Sequence, residues 1–160
     1  RITSLANDIA LNFAVQGVRM EAPIPGKPAV GIEVPNSHRD TVSLRELLES
    51  KKFTECKSRL AFGVGKHIAG NVIIGDIAKM PHMIIAGATG SGKSVMTNTL
   101  ITSMLYHNSP ADLKLIIVDP KQVEMAAYDA IPHLLAPVIT NVSEALSAMQ
   151  WAVKDRKSVV

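Results

Sequence analysis

The apolar and polar positions divide this chain into two parts with different rhythms, and the seam falls near residues 50–58. In the first part, Leu5, Ile9 and Phe13 share one face of the helical repeat in "LANDIALNF". Ser4 stands before that run as a plausible N-cap. The stretch "GVRMEAPIPGKPAVGIEVPN" predicts short β pieces interrupted by Pro and Gly. In "SLRELLES", Ser43 and Glu46 have capping-box spacing, so a short helix is expected to start there. The charged stretch "ESKKFTECKSR" reads as a connection. Residues 1–50 are therefore expected as a small α+β segment, 51–57 as a connection and 58–160 as the second part.

That second part alternates strands and helices. "RLAFGVGKHIAGNVIIGDI" predicts two strands around the turn-like "AGN". "HMIIAG" is a short continuous apolar run, the mark of a buried parallel strand. Residues 93–107 predict a helix with Val95, Thr99, Thr102 and Tyr106 near one stripe. "LKLIIVD" is the next buried strand and "APVIT" a third. "SEALSAMQWAVKD" is another helix, with Ser143 at its N-cap. Strands alternating with helices imply an α/β fold with a parallel sheet flanked by helices.

Composition narrows the class. At 160 residues the chain fits one ordinary domain, or one domain with a piece of another. With 47% hydrophobic and 19% charged residues it can bury a core, which argues against disorder or a fibre. It contains no apolar run long enough to span a bilayer. The opening "RITSLAND" has neither an initiator Met nor a signal-peptide pattern, as expected of an internal piece of a longer protein. A net charge of +3, spread without a basic block, permits a nucleic-acid partner without arguing for one. Cys56 is the single cysteine; it can form no internal disulfide, and it reads as a small buried residue of a reducing compartment.

The chemistry concentrates at "GATGSGKS", residues 87–94, a full match to the phosphate-loop pattern G-x-x-x-x-G-K-[ST]. A loop that wraps an anion needs Gly87, Gly90 and Gly92 for positive φ angles and close backbone approach. Gly87, Ala88, Thr89, Gly90, Ser91, Gly92, Lys93 and Ser94 together form the candidate cradle for ATP. Its amides and the positive end of the following helix would face the phosphates. Lys93 would reach the β- and γ-phosphates, and the Ser94 hydroxyl would ligate Mg²⁺. An apolar stretch before the loop and a helical pattern after it match the strand–loop–helix context of this motif.

Taken in order, "APIPGKPAVGIEVPN", "VIIGDIAKMPHMIIAGATGSGKSV", "LIIVDPKQVE" and "IPHLLAPVIT" resemble the FtsK/SpoIIIE family of bacterial DNA translocases. The resemblance runs from about residue 1 to about residue 155 and departs at "DRKSVV". It implies a RecA-like P-loop ATPase, the β domain, preceded by a smaller α domain. Residues 1–50 would be the end of the α domain and 58–160 the first part of the β domain. It further implies ATP-driven movement of double-stranded DNA in chromosome segregation and cell division or sporulation. The partners would be duplex DNA and further copies of the chain in a homo-hexameric ring. The location would be the cytoplasmic side of the bacterial cell membrane at the division septum, with membrane attachment through segments outside this chain. The family's later arginine and sensor residues, winged-helix module and membrane spans have no counterpart in these residues.

Asp119 ends the apolar run "LIIVD" after the phosphate loop, where a magnesium-binding Walker B acid could stand. In the family, a later hydrophobic-D-E block serves as Walker B, and Pro120 stands here where a water-activating Glu often does. Two readings of Asp119 stay open. It is either a direct magnesium acid beside the catalytic Lys93, or a strand-end residue that shapes the site rim or a subunit contact together with Lys121. Glu124 reads as a solvated or dipole-favoured position at a helix start rather than a catalytic one. His82 and His133 read as packed, hydrogen-bonded histidines. Arg19 and Lys27 read as surface residues, with a subunit or DNA contact as the alternative. Met149 and Trp151 are expected in a core. Two rival functions remain: a related secretion or conjugation P-loop ATPase, and a catalytically incomplete nucleotide-binding or assembly module.

Overall fold

The structure, a computed structural model, describes residues 3–38, 40–80 and 82–158. The chain separates into two compact units, Arg1–Thr41 and Val42–Val160. In the first, helix α1 (Ala6–Asn12) follows a 3₁₀ turn at Thr3–Leu5, so the N-cap position falls on Leu5 rather than Ser4. Only Ala10 of this helix is buried, and two members of the expected stripe, Leu5 and Phe13, are exposed. Strands β1 (Arg19–Glu21) and β2 (Gly31–Glu33) pair antiparallel. Arg19 stands opposite Glu33, and the two side chains form an ion pair at 3.6 Å, so Arg19 serves as a cross-strand surface partner.

In the second unit, Ser43 Oγ accepts the Glu46 amide at 3.2 Å and opens helix α2 (Leu44–Leu48), as the capping spacing predicts. The Glu46 carboxylate does not fold back on the cap; it pairs with Lys66. The expected connection at 51–57 is different. Ser50 Oγ accepts the Phe53 amide at 3.3 Å and opens helix α3 (Lys51–Thr54). Phe53, only 2% exposed, packs with Leu48 and Ala61, and Cys56 lies against the same cluster. The polar residues that make this stretch look like a linker face water, while its one aromatic anchors it. The boundary between compact units accordingly lies at Thr41/Val42, upstream of the expected seam. Ser50→Ala should cost about 1 kcal/mol through the lost cap. A circular-dichroism melt about 2–4 °C lower would register it.

Strands β3 (Ala61–Lys66) and β4 (Val72–Asp76) form the expected hairpin, with an irregularity between Gly63 and Gly65. Its turn closes through the Gly70 amide on the His67 carbonyl at 2.7 Å, with Gly70 at φ +81°. Phe62, 2% exposed, lies opposite Gly75, and a Cβ on Gly75 would meet its ring at 2.3 Å. Gly75→Ala should therefore destabilise the unit by about 1–3 kcal/mol, measured by urea unfolding.

The "HMIIAG" stretch is not a strand in this structure. Ile84 is 91% exposed, and an extended apolar segment becomes a strand only where a neighbour completes its hydrogen-bond ladder. Among the described residues, none pairs with 83–87. "LKLIIVD" and "APVIT" are not strands either, but "LKLIIVD" runs parallel to residues 134–139 through the isolated bridges Leu115↔Leu134 and Val118↔Ile139. The Ile139 amide donates to the Ile117 carbonyl at 2.9 Å, and the Asp119 amide to the Ile139 carbonyl at 2.8 Å. The described residues are thus α/β, with two small antiparallel sheets and two isolated parallel bridges, and they do not form the expected flanked parallel sheet.

Helix α4 (Lys93–His107) has the predicted bounds. Its Ile101 joins Ile117 and Met125 in a second core cluster, while Val95 and Tyr106 of the predicted stripe are exposed. Ser103 links α4 to β3: its Oγ accepts the Gly63 amide at 3.2 Å and donates to the Thr99 carbonyl at 2.6 Å. Helix α5 (Val142–Ser158) starts one residue before Ser143. Asn141 Oδ1 accepts the Ser143 amide at 2.9 Å, so Asn141 is the cap and Ser143 lies inside the first turn. Met149 and Trp151 are exposed at 60% and 50%, against expectation, because α5 buries only Ala145 among its described side chains. No helix among the described residues is long and apolar enough to cross a membrane.

Candidate functional site

The segment from Gly87 to Ser94 turns tightly into the first turn of α4. Gly90 and Gly92 adopt φ +79° and +89°, a left-handed conformation that side chains disfavour. Gly92 is the N-cap of α4. Gly87 does not take the expected positive φ; a Cβ there would lie 2.3 Å from Ser91 Oγ and would displace that hydroxyl. The Ser91 amide closes the loop on the Ala88 carbonyl at 3.1 Å. Ala88 and Thr89 are exposed at its crown. Lys93 Nζ donates to the Gly87 carbonyl at 2.6 Å and the Ala88 carbonyl at 3.0 Å. The ammonium thus lies against the loop, on neutral partners that a phosphate could replace with charged ones.

Asp119 sits at the end of the parallel contact and is buried, at 8% exposure. Its Oδ2 accepts the amides of Val123, Glu124 and Met125, each at 3.1 Å. Those bonds, the Glu124 amide foremost, hold the Asp119 carboxyl below its ordinary value against the opposing effect of burial. They also stabilise a loop in which Gln122 takes φ +55°. One oxygen of the carboxylate is thus committed to its own loop. A depressed carboxyl stabilises the fold fully above its unfolded value and loses that contribution as pH falls through the lower folded value. The melting temperature should therefore drop below about pH 4, and Asp119→Asn should show a shallower drop.

What the loop presents is Glu124. Its Oε1 accepts the Ser94 hydroxyl at 2.5 Å, across thirty positions of sequence. Sequence reasoning assigns Glu124 no such contact; the only available signal is its place five residues beyond a strand-end Asp. Lys121 and Val123 are exposed, and Met125 turns inward to the second core cluster. Tyr128 OH donates to Asn98 Oδ1 at 2.9 Å, tying the following turn to α4. His133 is buried with Nε2 3.1 Å from the Asn108 carbonyl, as expected, but His82 is exposed rather than packed.

The oxygens at this place suit magnesium. A hydroxyl and a neighbouring carboxylate are hard donors, and Mg²⁺ takes few protein ligands, keeping waters and sharing substrate phosphates. Among the described residues no group of three or more His, Cys, Asp or Glu could hold a metal without such help.

Residues 43–159 match the FtsK/SpoIIIE family model, and residues 1–36 match the FtsK alpha domain. The chain is 58% identical over 155 residues to the DNA translocase FtsK of Clostridium tetani, covering 97% of this chain and 21% of that protein. It is 57% identical to the DNA translocase FtsK of Caldanaerobacter subterraneus subsp. tengcongensis, with 97% and 22% covered. It is 48% identical to the DNA translocase SftA of Bacillus subtilis, with 97% and 16% covered. The chain therefore spans about a fifth of the length of the first two curated relatives. On the extent of these matches, the chain belongs to the FtsK/SpoIIIE family.

Proposed function

We propose that this chain is the ATP-binding part of an ATP-driven double-stranded DNA translocase acting in chromosome segregation and cell division or sporulation. The observation that carries the reading is the Gly87–Ser94 loop: left-handed glycines turn it into α4, and Lys93 Nζ and Ser94 Oγ stand at its exit. Lys93 and the loop amides would hold the phosphates of ATP, and Ser94 would contribute its hydroxyl to Mg²⁺. Bound magnesium would supply charge neutralisation to the phosphates. Relatives named DNA translocase support DNA as the substrate, which in this reading is duplex. Residues 1–36 would belong to the α domain, and the unit beginning at Val42 to the ATPase domain. The working form in this reading is a homo-hexameric ring on the cytoplasmic side of a bacterial membrane at the septum. Membrane attachment would come through segments outside this chain.

A second reading is favoured by Asp119, whose Oδ2 is taken up by three amides of its own loop. The chain alone would then bind nucleotide without hydrolysing it. ATP turnover at rising protein concentration, with and without duplex DNA, separates the two. DNA-stimulated turnover supports the motor reading, whereas nucleotide binding without turnover supports the binding-module reading for the isolated chain.

A further inference from the structure

We infer that Glu124 orients the Ser94 hydroxyl toward the magnesium of a bound magnesium–nucleotide, and that Asp119 is a positioning residue acting through Glu124; this rests on the nucleotide-binding reading above. A serine hydroxyl has one proton and two lone pairs. When the proton is given to Glu124 Oε1, the lone pairs turn away from the carboxylate and are free for a cation. A carboxylate that accepts this proton also raises the donor strength of the oxygen, as outer partners of metal ligands generally do.

The placement of Glu124 is built by the fold. Asp119 Oδ2 gathers the amides of residues 123–125 and fixes the backbone on both sides of Glu124. Met125, 7% exposed, anchors the loop against Ile101 and Ile117. The Tyr128–Asn98 bond pins the next turn to the helix that carries Ser94. Glu124 itself is exposed, so its side chain fills no core position. The question posed by an acid at the end of an apolar run thus has a two-residue answer: Asp119 shapes the loop, and Glu124 meets the magnesium-side hydroxyl.

The test is titration of a fluorescent ATP analogue into the intact chain over a Mg²⁺ series, with an EDTA baseline. Variants are E124Q, E124D, D119N and the double substitution E124Q/D119N, each checked for folding by circular dichroism. E124Q should raise the Mg²⁺ midpoint about 10–100-fold, the usual cost of losing an outer partner of a metal ligand. Its affinity in EDTA should not fall, because the substitution removes a negative charge beside the phosphate loop, and E124D should recover part of the Mg²⁺ response. D119N should shift the midpoint when Glu124 is present and add nothing in the E124Q background. An unchanged midpoint in E124Q overturns the inference, as does an equal loss with Mg²⁺ and with EDTA. A D119N effect that persists in full beside E124Q removes Asp119 from the chain of action. Should the folded, unsubstituted chain bind no nucleotide at all, the nucleotide-binding reading fails first and this inference goes with it.

Discussion

Lys93→Ala should lower the affinity of the chain for ATP by about 100-fold or more, a loss of about 2.7 kcal/mol. Lys93 is the one charged residue between Gly87 and Ser94. Its ammonium is held against the loop by the Gly87 and Ala88 carbonyls. Those bonds hold a charge on neutral acceptors, and a polyphosphate offers charged ones that bind roughly twice as strongly. Alanine removes that gain and leaves only the loop amides and the helix end to attract the anion. The fold should be untouched, because Lys93 is half-buried at the first position of α4 and alanine favours helix. Nucleotide titration by fluorescence, with melting curves beside it, checks both halves. Equal affinities for the two proteins would move the phosphate site away from this loop.

Local chemistry was legible in the sequence wherever one residue type decides it. The glycines of the phosphate loop, the Ser43 cap of α2 and the bounds of α4 follow from steric and capping rules that act within a few residues. The β3–β4 hairpin follows from two apolar stretches on either side of its turn. What escaped depends on distant partners. "HMIIAG" has the composition of a buried strand but finds no ladder partner among the described residues. Trp151 and Met149 have the composition of core and lie exposed. At the site, the three amide bonds to Asp119 Oδ2 were not legible, because they come from a loop whose path the sequence does not fix. The Glu124–Ser94 contact escaped because a loop and a helix start thirty positions apart create it.

Phe53→Ala should cost about 3–5 kcal/mol, the range for deleting a fully buried aromatic. Phe53 is 2% exposed, packs with Leu48 and Ala61, and has its ring centroid 5.4 Å from that of His107, tilted by 51°. Removing the ring leaves a cavity that the short helix α3 cannot fill without leaving its Ser50 cap. Against a typical total of about 5–15 kcal/mol, such a loss is a large share of the stability. The consequence should reach the phosphate loop by a definite route. The cluster around Phe53 supports β3, β3 meets α4 through the Gly63 amide on Ser103 Oγ, and α4 carries Lys93 and Ser94 at its start. The variant should therefore bind ATP with near-normal affinity well below its melting temperature and lose binding together with the fold on warming. Leu11→Ala, at a position 82% exposed on α1, should change little and serves as the control. A Phe53→Ala urea midpoint within the range of that control would show that α3 is not docked, and "ESKKFTECKSR" would be a connection after all.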